Sequence, residues 1–138
     1  MRKVTIEDIV GLAGYEKIRQ DFRRRIIELK QKRRISLGDR VTLVFENRDT
    51  VIFQIQEMLR VERINDLDKI RQEIVTYNQL IPDSRELSAT LFLEIENPSH
   101  LREELLKFQA IEEATSLRIA AHRLPAQFEP GRSKEDKI

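Results

Sequence analysis

The segment Phe45 to Ile64, FENRDTVIFQIQEMLRVERI, constrains the fold more than any other part of the chain. It passes from the end of a strand pattern into a helix, predicted from about Thr50 to Ile64, that is too apolar to lie free on a surface. At about 100° per residue, Val51, Ile52, Ile55, Met58 and Leu59 make a broad apolar arc, and Glu62 lands inside it. Phe53, Val61 and Ile64 occupy other sectors, leaving a narrow polar strip of Gln56, Arg60 and Arg63. A helix of this kind is expected to be covered on more than one side. It nevertheless carries Gln54, Gln56, Glu57, Arg60 and Glu62, polar groups that a plain core helix does not need. That conflict between pattern and chemistry makes it the first place to look for a site.

The flanking patterns supply the rest of the fold. Val4 to Val10 reads as one helical turn, with Thr5 as N-cap and Asp8 three residues on, close to a capping box. Gly11 and Gly14 punctuate the chain before a helix from Tyr15 to about Arg33, whose face is Tyr15, Ile18, Phe22, Ile26 and Leu29. Gly38-Asp39 marks a turn. Arg40 to Glu46 alternates as a half-buried strand, with Val41, Leu43 and Phe45 on one side and Thr42, Val44 and Glu46 on the other. Asn47 or Asp49 caps the central helix and Asp66 the next, where Leu67, Ile70, Ile74, Tyr77 and Ile81 share a face up to Pro82. Leu87 to Glu96 is the clearest strand. Asn97-Pro98 starts a helix with Leu101, Leu105, Phe108 and Ile111 on its apolar face. Thr115 to His122 reads as a third strand, with Leu117, Ile119 and Ala121 inward.

The order is therefore α-α-β-α-α-β-α-β. It predicts one α+β domain over residues 1–124, with a small mixed or antiparallel sheet of about three strands covered by helices. At 138 residues the chain is long enough for a substantial core. The tail, 125–138, holds two prolines, Gly131 and a charged run, and is expected to be mobile unless a partner orders it.

Composition narrows the chemistry. The chain has no cysteine, which excludes disulfides, thiolate metal sites, a cysteine nucleophile and direct cysteinyl ligation of an iron–sulfur cluster. A net charge of +1 provides no global field for nucleic acid or membrane, so such binding needs a local patch. No run approaches the roughly 20 apolar residues of a membrane span. A cytoplasmic location is the expectation. No phosphate loop, dinucleotide fingerprint or G-x-S-x-G motif is present.

Two clusters remain as candidates. The first is a polar site formed by Glu46, Asn47, Gln56, Glu57, Arg60 and Glu62. Its functional reading is a ligand pocket in which Glu57 or Glu62 is a carboxylate of raised pKa or a metal ligand. Its plainer reading has Glu62 emerging into solvent at the last turn, or paired with an arginine, and Glu57 pairing with Arg60 along the helix surface. The plainer reading is preferred. No resident metal or cofactor is expected, because His100 and His122 are isolated and no Glu-x-x-His pair occurs. The second cluster is basic. Arg19, Arg23, Lys30 and Arg34 line one edge of the first long helix, and Arg25, Lys32 and Arg33 add charge near the other. It reads either as an anion patch for nucleic acid or an acidic protein, or as a solvated face whose stems shield the apolar seam. Aromatics for base stacking are not interleaved with it, and the solvated face is preferred.

The segments YEKIRQDFRRRIIELKQKRR, FENRDTVIFQIQEMLRVERI and YNQLIPDSRELSATLFLEI, with the EEL stretch that follows, resemble a bacterial family known only as a domain of unknown function. Its signature falls on Phe45, Glu46, Asn47, Thr50, Gln54, Gln56, Glu57, Arg60 and Glu62. The resemblance implies a genomic context rather than a reaction: neighbours of the rubrerythrin type and iron–sulfur proteins of the heterodisulfide-reductase type. Family members run on past a charged segment like GRSKEDK into another strand, so the chain is either a shorter member or stops before its last strand.

The leading reading is a non-enzymatic accessory or interaction protein. Its protein partner, of iron–sulfur or rubrerythrin-like type, carries the iron, and the basic helix with Gln56, Arg60 and Arg63 forms the docking surface. A small enzyme or ligand-binding domain using the polar site is the second reading. A nucleic-acid module using Arg19, Arg23, Lys30 and Arg34 is the third.

Overall fold

The computed structural model describes residues 1–95, 97–108 and 110–129. They fall into two compact units, Met1–Glu94 and a second that begins at Ile95. The fold is α+β, with a three-stranded antiparallel sheet in the first unit and a two-stranded hairpin in the second.

In the first unit, helix α1 spans Leu12–Gln31 and starts three residues before the predicted Tyr15. Gly11 is its N-cap and accepts the first helical bond from the Tyr15 N–H at 2.8 Å, so Gly14 lies inside the helix rather than before it. Tyr15 and Ile26 are the fully buried residues of its inner face. The chain then enters strand β1, Arg34–Leu37, which the sequence pattern did not predict. Four residues are too few for a clear alternation. The strand is held by pairing with β2, Val41–Phe45, in the register Leu37↔Val41 and Arg34↔Val44. Gly38 sits at φ +70° in the turn, a conformation that favours glycine. Strand β3, Ala89–Leu93, pairs with the other edge of β2 to complete the order β1-β2-β3. It is shorter than the predicted Leu87–Glu96. Leu87 is exposed, and Glu96 lies outside the described residues.

The sheet buries the side of β2 with fewer apolar residues. Thr42, Val44 and Glu46 are buried, while Val41, Leu43 and Phe45 are only half-buried. Hydrogen bonding is the reason the polar side goes inside. The Thr42 hydroxyl donates to Glu94 at 2.9 Å, and the Glu46 carboxylate is satisfied by two threonines. A buried polar group with partners escapes most of its desolvation cost. The register places Val41, Leu43 and Phe45 in rows with Ile35 and Leu37 on one flank and Leu91 and Leu93 on the other. This apolar face reaches the surface at Ile35 and Leu37, both about half exposed.

Helix α2, Arg48–Val61, is capped by Asn47. Its side chain accepts from the Thr50 N–H at 2.9 Å, while the Thr50 hydroxyl accepts from the Asn47 N–H at 2.9 Å. Val51, Ile55 and Leu59 are its most deeply buried apolar residues, and they join Val4, Ile52, Ile74 and Ile81 in the main core. As expected, the helix is enclosed on several sides, with α1 and α3 packed against it. It ends in a Schellman turn. The Ile64 N–H returns to the Leu59 carbonyl at 2.9 Å, the Arg63 N–H to Arg60 at 3.3 Å, and Arg63 takes φ 53°. The left-handed conformation costs a non-glycine residue about 1 kcal/mol. Arg63→Gly is therefore expected to stabilise the protein by up to about 1 kcal/mol, read as a higher urea midpoint.

Helix α3, Leu67–Asn78, is capped by Asp66 as predicted. Its inner face runs through Ile74 to Ile81 beyond its end, while Leu67 stays half exposed. The N-terminal segment makes only a 3₁₀ turn at Ile6–Asp8, with the Asp8 carboxylate accepting from the Thr5 N–H at 2.8 Å.

The second unit holds α4, Leu101–Leu106, and α5, Ile111–Ala114, where the pattern predicted one helical face through Ile111. The predicted third strand is divided. Strand β4, Ser116–Ile119, turns at Ala120-Ala121 and pairs antiparallel with β5, His122–Pro125. Ala120 lies at φ 52°. Turns of this kind usually carry glycine or asparagine, so two alanines gave no sign of one. Residues 130–138 of the predicted tail lie outside the described residues. Among the described residues, no helix is long and apolar enough to cross a membrane.

Candidate functional site

The polar residues of the central segment do not converge on one pocket. They work at separate places in the first unit. Glu46 lies just before α2, 2% exposed. One carboxylate oxygen accepts from the Thr50 hydroxyl, and the other accepts from Thr90 of β3 at 2.7 Å. Arg33 donates to the backbone carbonyls of Phe45 and Glu46, at 2.7 and 3.2 Å. This cluster joins the sheet to the start of α2, and Asn47 serves as the cap.

The sector of Gln56 predicts a polar strip on the helix surface, yet the residue is 1% exposed. Its Oε1 accepts from the Val10 N–H at 2.7 Å, and its Nε2 donates to the Val10 carbonyl at 3.1 Å. Asn78 of α3 treats Val4 in the same way, at 2.8 and 3.0 Å. Two carboxamides therefore clamp the N-terminal segment, each bonding both backbone groups of one residue. The segment has no ladder of its own, and these side chains replace one. Asp8 adds a third tether, with Arg48 Nη2 at 2.6 Å and Arg2 at 3.7 Å.

The i,i+3 spacing of Glu57 and Arg60 predicts a pair along the helix surface. Each instead pairs across to α1. Glu57 Oε2 accepts from the Tyr15 hydroxyl at 2.6 Å and from Arg19 Nε at 2.9 Å, and Oε1 accepts from Arg19 Nη2 at 2.8 Å. Arg60 Nε donates to Glu16 at 2.6 Å. The bidentate fork explains the preference, since two parallel charge-assisted bonds outweigh one exposed i,i+3 contact. Glu62 caps the end of α2 and is exposed, as the plainer reading had it.

The electrostatics follow this geometry. The Arg19 fork, with the Tyr15 hydroxyl assisting, holds the Glu57 carboxyl below its ordinary range, the opposite of the raised carboxylate that general-acid chemistry needs. Burial, reinforced by the bond to Glu57, pushes the Tyr15 phenol up. The Arg48 guanidinium, helped by the Thr5 N–H, holds Asp8 at about 2. A carboxyl depressed on folding stabilises the protein above its unfolded pKa of about 3.9 and loses that contribution as pH falls toward about 2. Asp8→Asn is therefore expected to flatten the acid limb of a thermal-midpoint curve between about pH 4 and pH 2, and to lower the midpoint at neutral pH.

The basic residues are also dispersed. Arg19 belongs to the Glu57 fork, and Arg34 lies on β1 rather than on the helix. Arg23 is exposed on α1, and Arg63 is exposed in the turn after α2. Lys30 Nζ sits 5.8 Å above the Phe53 ring, which stacks on Phe22 with centroids 5.6 Å apart. Arg25 covers Phe22 from 5.0 Å. Among the described residues, no group of three or more histidine, aspartate and glutamate side chains is placed to hold a metal ion.

Sequence reasoning missed the partners more than the site residues. By spacing alone Tyr15 reads as an apolar face residue. A tyrosine on an inner face usually needs an acceptor, and Arg19 one turn on marked where a carboxylate would come. Thr90, Asn78 and Arg48 carried no such signal, because they meet their partners only through the tertiary fold.

Comparison with known proteins adds no activity. None of the curated proteins matches the chain. A solved structure similar to it is that of a novel protein of unknown function from Burkholderia pseudomallei K96243. It is 35% identical, with a TM-score of 0.85, and the match covers 90% of this chain and 71% of that one. The family model described as "Protein of unknown function (DUF3501)" matches residues 3–138, and the chain belongs to that family.

Proposed function

We propose that this protein is a non-enzymatic accessory or interaction subunit that works by docking onto another protein in the bacterial cytoplasm. The observation that carries this reading is how the side chains of α2 and its surroundings are used. Glu46, Gln56, Glu57 and Arg60 are engaged by Thr50, Thr90, Val10, Tyr15, Arg19 and Glu16. The surface instead offers apolar and cationic side chains, with Val61, Val75, Ile35 and Leu37 exposed in the first unit and Arg23 on the open side of α1. Exposed apolar side chains and surface cations are both features that a transient protein interface uses.

The family resemblance supports a finer form of the proposal, in which the partner is an iron–sulfur or rubrerythrin-like redox protein that carries the iron. Charge reversal tests the surface. Arg23→Glu is expected to weaken the complex isolated from native cells by about tenfold or more, with the thermal midpoint unchanged. Recovery of the same complex at wild-type strength contradicts the assigned surface.

A further inference from the structure

We propose that the cleft on the outer side of α2 docks an acidic amphipathic segment of the protein partner, a proposal that rests on the interaction reading above. The cleft has a volume of about 280 Å³. Phe53, Met58, Val61 and Tyr77 give it apolar walls, with Lys30 on the α1 side. Gln54 also lines it.

Two features define the occupant. The apolar walls take an apolar side chain, and Val61 stands 71% exposed with nothing over it. Lys30 takes a carboxylate. It is half-buried against the Phe53 ring, and no carboxylate pairs with it among the described residues. The other charged group in the cleft, Glu57, is neutralised by the Arg19 fork, so it does not cancel Lys30. Arg25 over Phe22 adds positive charge to the same aromatic pair. The local field is thus cationic around an apolar floor. A helical segment with apolar anchors at three-to-four-residue spacing and flanking carboxylates satisfies both features at once.

The test is site-specific photo-crosslinking in cells that express the natural protein, with benzoylphenylalanine at Val61 and, separately, at Val75 on α3. Val75 is 67% exposed and does not line the cleft. The expected result is a crosslink from Val61 to a protein segment rich in aspartate and glutamate with periodic apolar residues. Lys30→Glu should reduce it by tenfold or more, and Lys30→Gln, which keeps most of the stem, by a smaller factor. Crosslinking of Val61 to a basic segment, a second copy of this chain, nucleic acid or a small molecule overturns the proposal. So does a crosslink indifferent to Lys30→Glu. Crosslinking to a protein from Val75 alone removes the cleft but leaves the interaction reading standing. Crosslinking from neither position removes both.

Discussion

Tyr15→Ala is expected to destabilise the protein by about 3–5 kcal/mol, the range for removing a buried aromatic side chain. Tyr15 is fully buried and meets Phe22 edge-on with ring centroids 6.3 Å apart. Two contributions are separable. Tyr15→Phe keeps the ring and removes only the hydroxyl that donates to Glu57, so it should cost about 1.5–3 kcal/mol, the range for a bond to a charged group. If Tyr15 and Glu57 act as one structural unit, the losses in Tyr15→Phe and Glu57→Ala will be less than additive in the double variant. Urea unfolding of the four proteins measures this directly. Full additivity would show that the bond contributes little and that Tyr15 acts through packing alone.

Glu46→Leu is the second large effect. The carboxylate is buried and accepts from Thr50 and Thr90, and its removal leaves both hydroxyls facing an apolar side chain. The expected cost is about 2–4 kcal/mol, one desolvated hydroxyl at roughly 1–3 kcal/mol and part of a second. The Thr50 hydroxyl also lies 3.0 Å from the Asn47 carbonyl, so it can turn there and recover part of the loss. Glu46→Gln keeps one acceptor for Thr90 and should cost only about 1 kcal/mol. Thermal or urea unfolding separates the two variants. Near-equal stability of Glu46→Leu and the wild type would show that the cluster does not join sheet to helix. Loss of partner binding in Glu46→Gln at unchanged stability would give the carboxylate a functional role that the geometry does not assign.

Much of the fold was legible because local chemistry and tertiary structure agree there. Asn47 and Asp66 cap the helices that their side chains predict, and the apolar arc of α2 enters the core. Legibility failed where long-range bonds overrode a local pattern. On β2, alternation identified the strand but not the face that is buried, since Glu46 and Thr42 are carried inside by Thr90, Thr50 and Glu94. On α2, the sector of Gln56 pointed outward, but a segment 46 residues earlier covers it. The hairpin after Thr115 was read as one strand because Ala120-Ala121 turns without glycine. In the candidate site, the sequence marked residues with unusual polar demand. It did not mark that the demand is met inside the molecule.

The most direct test of the account is native mass spectrometry of the tagged chain purified from its own cells under anaerobic conditions. The expected result is a stoichiometric protein companion, and in the finer form of the proposal one whose mass includes an iron–sulfur or rubrerythrin-type iron centre. A chain recovered alone, or carrying only a small-molecule mass, would contradict it and return attention to ligand binding by the chain itself.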